Sequence, residues 1–139
     1  MGLSLPGQVF DSNGPMIEAM AAQMGVDVIR LPAVADEDQA IRQAIERLVE
    51  LQNPDIIIST GGVSEGSRDR IRAVLQDLDA TIHFHGVRMR PGKPVLFAML
   101  PNGRLFFGLP GNPVAAALAF RFLVAAAIRQ MVGAQPERG

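Results

Sequence analysis

The chain has 139 residues, 48% of them apolar and 19% charged, with a formal net charge of −1. That is enough apolar material for one folded core and too much for intrinsic disorder, while the lack of a Lys/Arg block argues against generic binding of nucleic acid or a membrane surface. Cysteine is absent, which excludes disulfides and thiolate metal sites and fits a cytoplasmic location. The N-terminus MGLSLPGQVF has neither the basic flank nor the long apolar run of a signal peptide. The most apolar stretch, 114–128, is mostly alanine and carries Arg121, so it is too short and interrupted for a membrane span.

Asp11-Ser12-Asn13 offers helix-capping side chains and Pro15 suits a first helical turn, predicting a helix over 16–24 that Gly25 closes. Residues 26–34 predict a strand. Asp36 then caps a second helix, in which Ile41, Ile45, Leu48 and Val49 recur at helical spacing until about Gln52. Asn53-Pro54 stops it, and residues 56–59 form the clearest strand. A third helix is predicted over 67–78, followed by strands over 81–89, 94–100 and 104–109, the last two joined by the hairpin signal Asn102-Gly103. Asn112 and Pro113 open a final helix to Met131. This order indicates an α/β fold, a three-layer, mostly parallel sheet with helices on both faces, in a single domain spanning 1–139. Such a domain normally begins with a buried strand, whereas residues 3–10, LSLPGQVF, have the composition of a loop. Either the sheet edge starts at Val9-Phe10, or a first strand is missing.

Three loops share one chemistry. DIIISTGGVSEGSRD, from Asp55 to Asp69, takes a buried strand through Gly61-Gly62 and hydroxyl side chains into a helix. Glycine lets backbone N–H groups approach an anion, and a helix N-terminus adds partial positive charge. A tight turn with no ligand would use the same glycines. It is not a P-loop, since no Gly-Lys-Ser/Thr follows. MRPGKP places Arg90 and Lys93 three residues apart on a proline-stiffened turn, suited either to gripping an oxyanion or to a solvated basic turn. In GLPGNPV, Asn112 is expected first as a helix cap. Asp69, placed in the first turn of the third helix, suits the helix dipole or a Mg²⁺ ion held against a phosphate, with Asp36 as a possible companion. His83 and His85 alternate along a strand and so share a face, where a structural or rim role is favoured over metal binding.

Four blocks, GQVFDSNG (7–14), STGGVSEGSRD (59–69), FHGVRMRPGKP (84–94) and GLPGNPVAA (108–116), closely resemble the catalytic domain of molybdopterin molybdenumtransferases, the MoeA family that includes the gephyrin E domain. They occur in family order across nearly the whole chain. GGVS also favours this family over the related molybdopterin adenylyltransferases, whose loop usually reads GGTG. The resemblance implies that adenylylated molybdopterin and molybdate react to give molybdenum cofactor and AMP, with Mg²⁺ assisting. It implies that Thr60, Gly61, Gly62, Val63, Ser64, Gly92, Pro110, Gly111 and Asn112 surround the pterin ligand. Asp69 matches the family's essential carboxylate, Asp36 is the implied second Mg²⁺ contact, and Arg90 and Lys93 match the cationic pair suited to molybdate or the scissile phosphates.

Several positions depart from the family pattern. Ser67 stands where an acidic residue is usual, Gly86 where a lysine-like residue is usual, and Ala115 where serine often follows. No Thr-Gly-Asp-Glu-like turn is present after a first strand. The chain is therefore expected to be a fragment of a larger multidomain enzyme, its site completed by a homodimer partner or partner domain. A binding-only or scaffold domain is the competing expectation. A sheet lacking its first strand would show a gap, filled by another chain or by the N-terminal segment.

Overall fold

Ile56–Ser59 (β3) has four consecutive residues, all buried. A strand covered on both faces needs apolar side chains at successive positions rather than alternate ones. Ile56 and Ile58 enter one core and Ile57 the other. The computed structural model describes residues 2–8, 14–34, 37–60, 65–89, 93–101 and 103–133. Around β3 it places β1 (Gly2–Gln8), α1 (Gly14–Ala22), β2 (Asp27–Val34) and α2 (Asp38–Arg47) before it in the chain. After it come α3 (Glu65–Asp77), β4 (Thr81–Met89), β5 (Lys93–Met99), β6 (Leu105–Gly108), α4 (Pro113–Ala119) and α5 (Ala125–Gly133). The strands form one six-stranded sheet in the order β2-β1-β3-β6-β5-β4. β2, β1, β3 and β6 run parallel, whereas β5 and β4 continue the sheet antiparallel.

The first strand is the main correction to the sequence expectation. Gly2–Gln8 is β1, paired with both β2 and β3, so the N-terminal segment fills the position where a gap was expected. The strand ends before Val9-Phe10, which lie outside the described residues. Pro6 and Gly7 gave the segment its loop-like composition. Proline has no N–H for a ladder and is tolerated in strands at bulges; the register against β2 shifts between Leu5 and Gly7. Pro32 lies in β2, an edge strand, the other place where proline is accommodated.

Helices cover both faces. One core joins Ile17 and Ala21 of α1, Ala116 and Ala119 of α4, and Phe120, Val124 and Ile128 beyond it to Ile56, Ile58, Val95 and Phe107. The other joins Ile45 and Leu48 to Ile71, Val74 and Leu75 of α3 and to Ile57, Leu96, Ala98 and Phe106. The helix over 113–131 is long and apolar enough to cross a bilayer, yet its inner side chains form the first core. Wide π-helical turns extend α2 through Leu48–Gln52 and join α4 to α5 through Phe120–Val124. Asn53, at φ 51°, closes the first of these and returns its N–H to the Leu48 carbonyl at 3.0 Å.

Helix starts moved in two places. The N-cap of α2 is Glu37, with no side-chain capping bond, instead of Asp36, which lies outside the described residues. α3 begins at Glu65, not Ser67, so Asp69 is its fifth residue and lies beyond the first turn. Glu65 itself supplies the negative charge that a helix start favours. The β5–β6 hairpin closes as its Asn102-Gly103 signal predicted: Leu100 N–H donates to the Arg104 carbonyl at 2.8 Å, and Gly103 adopts φ +83°. That left-handed position is one that glycine takes without steric cost.

Candidate functional site

The carboxyl ends of the parallel strands carry the candidate site, as ligand sites in open α/β sheets do. Ser59 pairs with Gly108 across the β3–β6 ladder, and Leu109 N–H donates to the Ser59 carbonyl at 2.9 Å. The two chains therefore leave the sheet side by side. Thr60 follows at 2% exposure and Pro110 is buried, so both loops start from fixed bases. A Cβ at Gly108 would meet the Leu96 Cβ at 3.4 Å and the Ser59 Oγ at 3.6 Å. The absence of a side chain at Gly108 is thus part of how the loops are seated.

The β4–β5 turn stands at the same end. Leu96 of β5 is opposite Gly108, and β5 is antiparallel to β6, so its start at Lys93 projects past the end of β6. Three residues of strand correspond to about 10 Å. Met89 pairs with Lys93, which brings both flanks of residues 90–92 to that height. Gly61, Gly62, Val63, Ser64, Arg90, Gly92 and Asp36 lie outside the described residues. Their flanks, Thr60 with Glu65, Met89 with Lys93, and Val34 with Glu37, are placed.

Asn112 caps α4: Ala115 N–H donates to its Oδ1 at 3.0 Å. The side chain is exposed, and its NH₂ group makes no further bond among the described residues, so the cap leaves two donors for a ligand. Gly111 is half-buried beside it.

An ion pair not anticipated from the sequence joins the starts of two helices. Arg70 Nε lies 3.0 Å from Asp38 Oδ1, linking the residue after Asp69 to the residue two beyond Asp36. Both side chains are more than a third exposed, so the pair adds little stability. Its effect is positional, since it holds the beginning of α2 against the second turn of α3. Sequence spacing could not reveal it, because nothing in the chain sets the distance between the two helices. Ser59 and Gly108 were also missed as site-building residues. The signal available for them was their place at the ends of two strands.

Among the described residues no three His, Asp or Glu side chains form a group able to hold a metal ion. The histidine pair does not behave as simple alternation predicts. The register of β4 against β5 shifts between Ile82 and Phe84 and again between His85 and Val87, so period-two spacing no longer assigns both to one face. His83 stacks on Phe97 at 5.1 Å, and Phe97 stacks on Phe107 at 4.8 Å. This is the structural role favoured for it.

Comparison with known proteins gives the same picture. The family described as "Probable molybdopterin binding domain" matches residues 3–130. A molybdopterin molybdenumtransferase of Nostoc sp. is 39% identical over 130 residues, covering 92% of this chain and 29% of that protein. The molybdenum cofactor synthesis protein cinnamon of Drosophila melanogaster is 38% identical over 128 residues, covering 92% of this chain and 21% of its own length. The chain thus spans less than a third of these relatives. Among solved structures, the molybdopterin biosynthesis MoeA protein of Pyrococcus horikosii superposes with a TM-score of 0.78 at 23% identity, over 99% of this chain and 36% of that one. A molybdopterin biosynthesis protein from Mycobacterium abscessus superposes at 0.71 and 17% identity, over 95% of each chain. At these identities the superpositions speak to the fold. With a family match running from β1 into α5, on a sheet of the same architecture, the chain belongs to the molybdopterin-binding domain family.

Proposed function

We propose that this domain holds the phosphate-bearing end of adenylylated molybdopterin at the carboxyl ends of β3 and β6, and serves molybdate insertion with release of AMP. The observation carrying this reading is the shared exit of two glycine-containing loops, locked by the Leu109 N–H to Ser59 carbonyl bond, in a chain of this family. Loop 60–64 would supply backbone N–H donors to phosphate, and Pro110, Gly111 and Asn112 would line the opposite wall. Arg90 and Lys93, on the β4–β5 turn at the same end, would hold molybdate or the scissile phosphates. Positioned cations of this kind supply most of the catalysis at phosphoanhydrides, where negative charge must be bound through the transition state.

Mg²⁺ enters as part of the same proposal. Asp69 and Asp36 would hold it, and the Arg70–Asp38 ion pair supports this by drawing their two helices together. A hard divalent cation there would neutralise phosphate oxygens as AMP leaves. In the proposed setting the domain works in the cytoplasm as one unit of a larger protein. Its site would be completed by a second copy or a partner domain, consistent with the longer relatives. A binding-only role is the second reading, favoured by Ser67, which removes a usual negative charge beside Asp69.

Calorimetry with adenylylated molybdopterin, paired with a molybdate-dependent assay of AMP release, separates the two readings. Turnover that is lost in Asp69→Asn while ligand binding and folding persist supports the enzyme. Binding without AMP release selects the scaffold. Failure of molybdopterin and its adenylylated form to bind at all overturns the site assignment.

A further inference from the structure

At the opposite end of the sheet, two surface depressions meet at Arg104, the residue that closes the β5–β6 hairpin. One, of about 150 Å³, is bounded by Val49, Leu78 and Leu100, with Glu46 and Glu50 also on its wall. The other, of about 260 Å³, runs between Asn53, Gly103 and Met131. Arg104 Nε is buried and has no hydrogen-bond partner. Buried donors are paired in the great majority of cases, because an unmade bond leaves the desolvation of the group uncompensated. This exception faces two cavities. Neither belongs to the site described above, which lies beyond the other ends of the same strands.

We infer that this base is a docking site for a polypeptide segment that inserts one aliphatic side chain beside Leu100, offers a backbone carbonyl to Arg104 Nε–H, and carries a basic residue opposite Glu46 and Glu50. Size decides against a cofactor-like ligand: such sites usually occupy roughly 300–1,000 Å³, whereas the apolar depression has room for a single anchoring side chain. Charge decides against an acidic segment. Glu46 and Glu50 outnumber Arg104 on that wall, so a carboxylate brought to the guanidinium would also meet two like charges. A neutral carbonyl satisfies the donor without that repulsion, and a lysine or arginine next to it turns the glutamates into attraction. The left-handed Asn53 and the wide turn before it shape this edge, and both leave backbone at the surface for an extended partner.

The probe is the N-acetylated, C-amidated hexapeptide Gly-Ala-Leu-Lys-Ala-Gly, titrated into the isotopically labelled full chain and followed by NMR. At roughly 1–10 mM peptide, the Arg104 Nε–H resonance and the Val49 and Leu100 methyls are expected to shift together. Replacing the peptide's Leu by Ala, or its Lys by Glu, should weaken binding about tenfold or more. Arg104→Met keeps the aliphatic stem, removes the unpaired donor, and should abolish the effect with the melting temperature unchanged or higher. Val49→Phe fills the depression while leaving the guanidinium in place, so it tests the same surface even if the methionine variant folds poorly. No shift at any of these concentrations, equal binding of the Lys-to-Glu peptide, or shifts that persist in either variant would overturn the inference.

Discussion

β1 and β3 lie side by side in one parallel layer, yet they are built in opposite ways. β3 is short, wholly apolar until its last residue, and buried throughout. β1 is longer, carries Pro6 and Gly7, and changes register at the proline. It runs beside β2 from Gly2–Asp27 to Gln8–Val34 but meets β3 only at Leu3–Ile56 and Ser4–Ile57. Two adjacent places in a sheet therefore need not share a sequence pattern. β3 is specified by its own side chains, whereas β1 is specified by the backbone edges on either side of it, which an extended segment of many compositions can satisfy.

Removing residues 1–8 is the strongest way to break this comparison. β2 has β1 as its sole sheet neighbour, so the deletion detaches β2 and exposes the edge of β3. An unpaired buried edge recruits other chains. The expected result is loss of a cooperative melt, or dimers and aggregates by size-exclusion chromatography, equivalent to all or most of a typical stability of about 5–15 kcal/mol. A monomer with an unchanged melting curve would show that β1 is an accessory and that the sheet closes without it.

Within β3 the effect should be large but local. Ile57 is fully buried against Leu96 and Phe106, so Ile57→Ala removes packing and leaves a cavity. Urea unfolding should register a loss of about 2–5 kcal/mol. A loss below about 1 kcal/mol would mean that this core collapses readily around the gap and that β3 is less self-specified than its burial implies. Gly108→Val sits one step lower. Its added carbons would press on Leu96 and Ser59, and overpacking of this sort typically costs about 1–3 kcal/mol. The substitution should also weaken ligand binding at the loops, since Ser59 and Gly108 set their shared exit. Full ligand affinity in a destabilised Gly108→Val protein would separate loop geometry from strand packing.

The difference between these strands also explains what could be recognised beforehand. β3, β4 and the hairpin were legible because Ile56–Ile58, the run at Thr81–Met89 and Asn102-Gly103 each carry their signal within a few residues. Asn112 was legible as a cap for the same reason, with Pro113 directly behind it. β1 was not, because its strand state comes from pairing with distant segments and its own Pro6 argues for a loop. The start of α3 was placed two residues late, since Ser67 and Glu65 are both acceptable first-turn residues. At the site, the chemistry of the glycine loops was visible from composition. The seating of one loop against the other, through Ser59 and Gly108, depended on β3 and β6 becoming neighbours although 45 residues separate their paired ends in sequence, from about position 60 to about position 105.

Pro6→Ala gives the smallest expected effect and the sharpest test of how β1 is held. Two terms oppose each other. Alanine loosens the unfolded chain, which costs about 0.4–1 kcal/mol. It also restores a backbone N–H at the point where the β1–β2 register shifts, and one added ladder bond contributes about 0.5–1.5 kcal/mol. The net change should therefore stay within about 1 kcal/mol of zero, with new hydrogen-exchange protection at position 6. A clear loss of stability without that protection would mean that the fixed φ of proline holds β1 in place. In that case the register shift is a shape the neighbouring strands require, and β1 is specified by its own sequence after all.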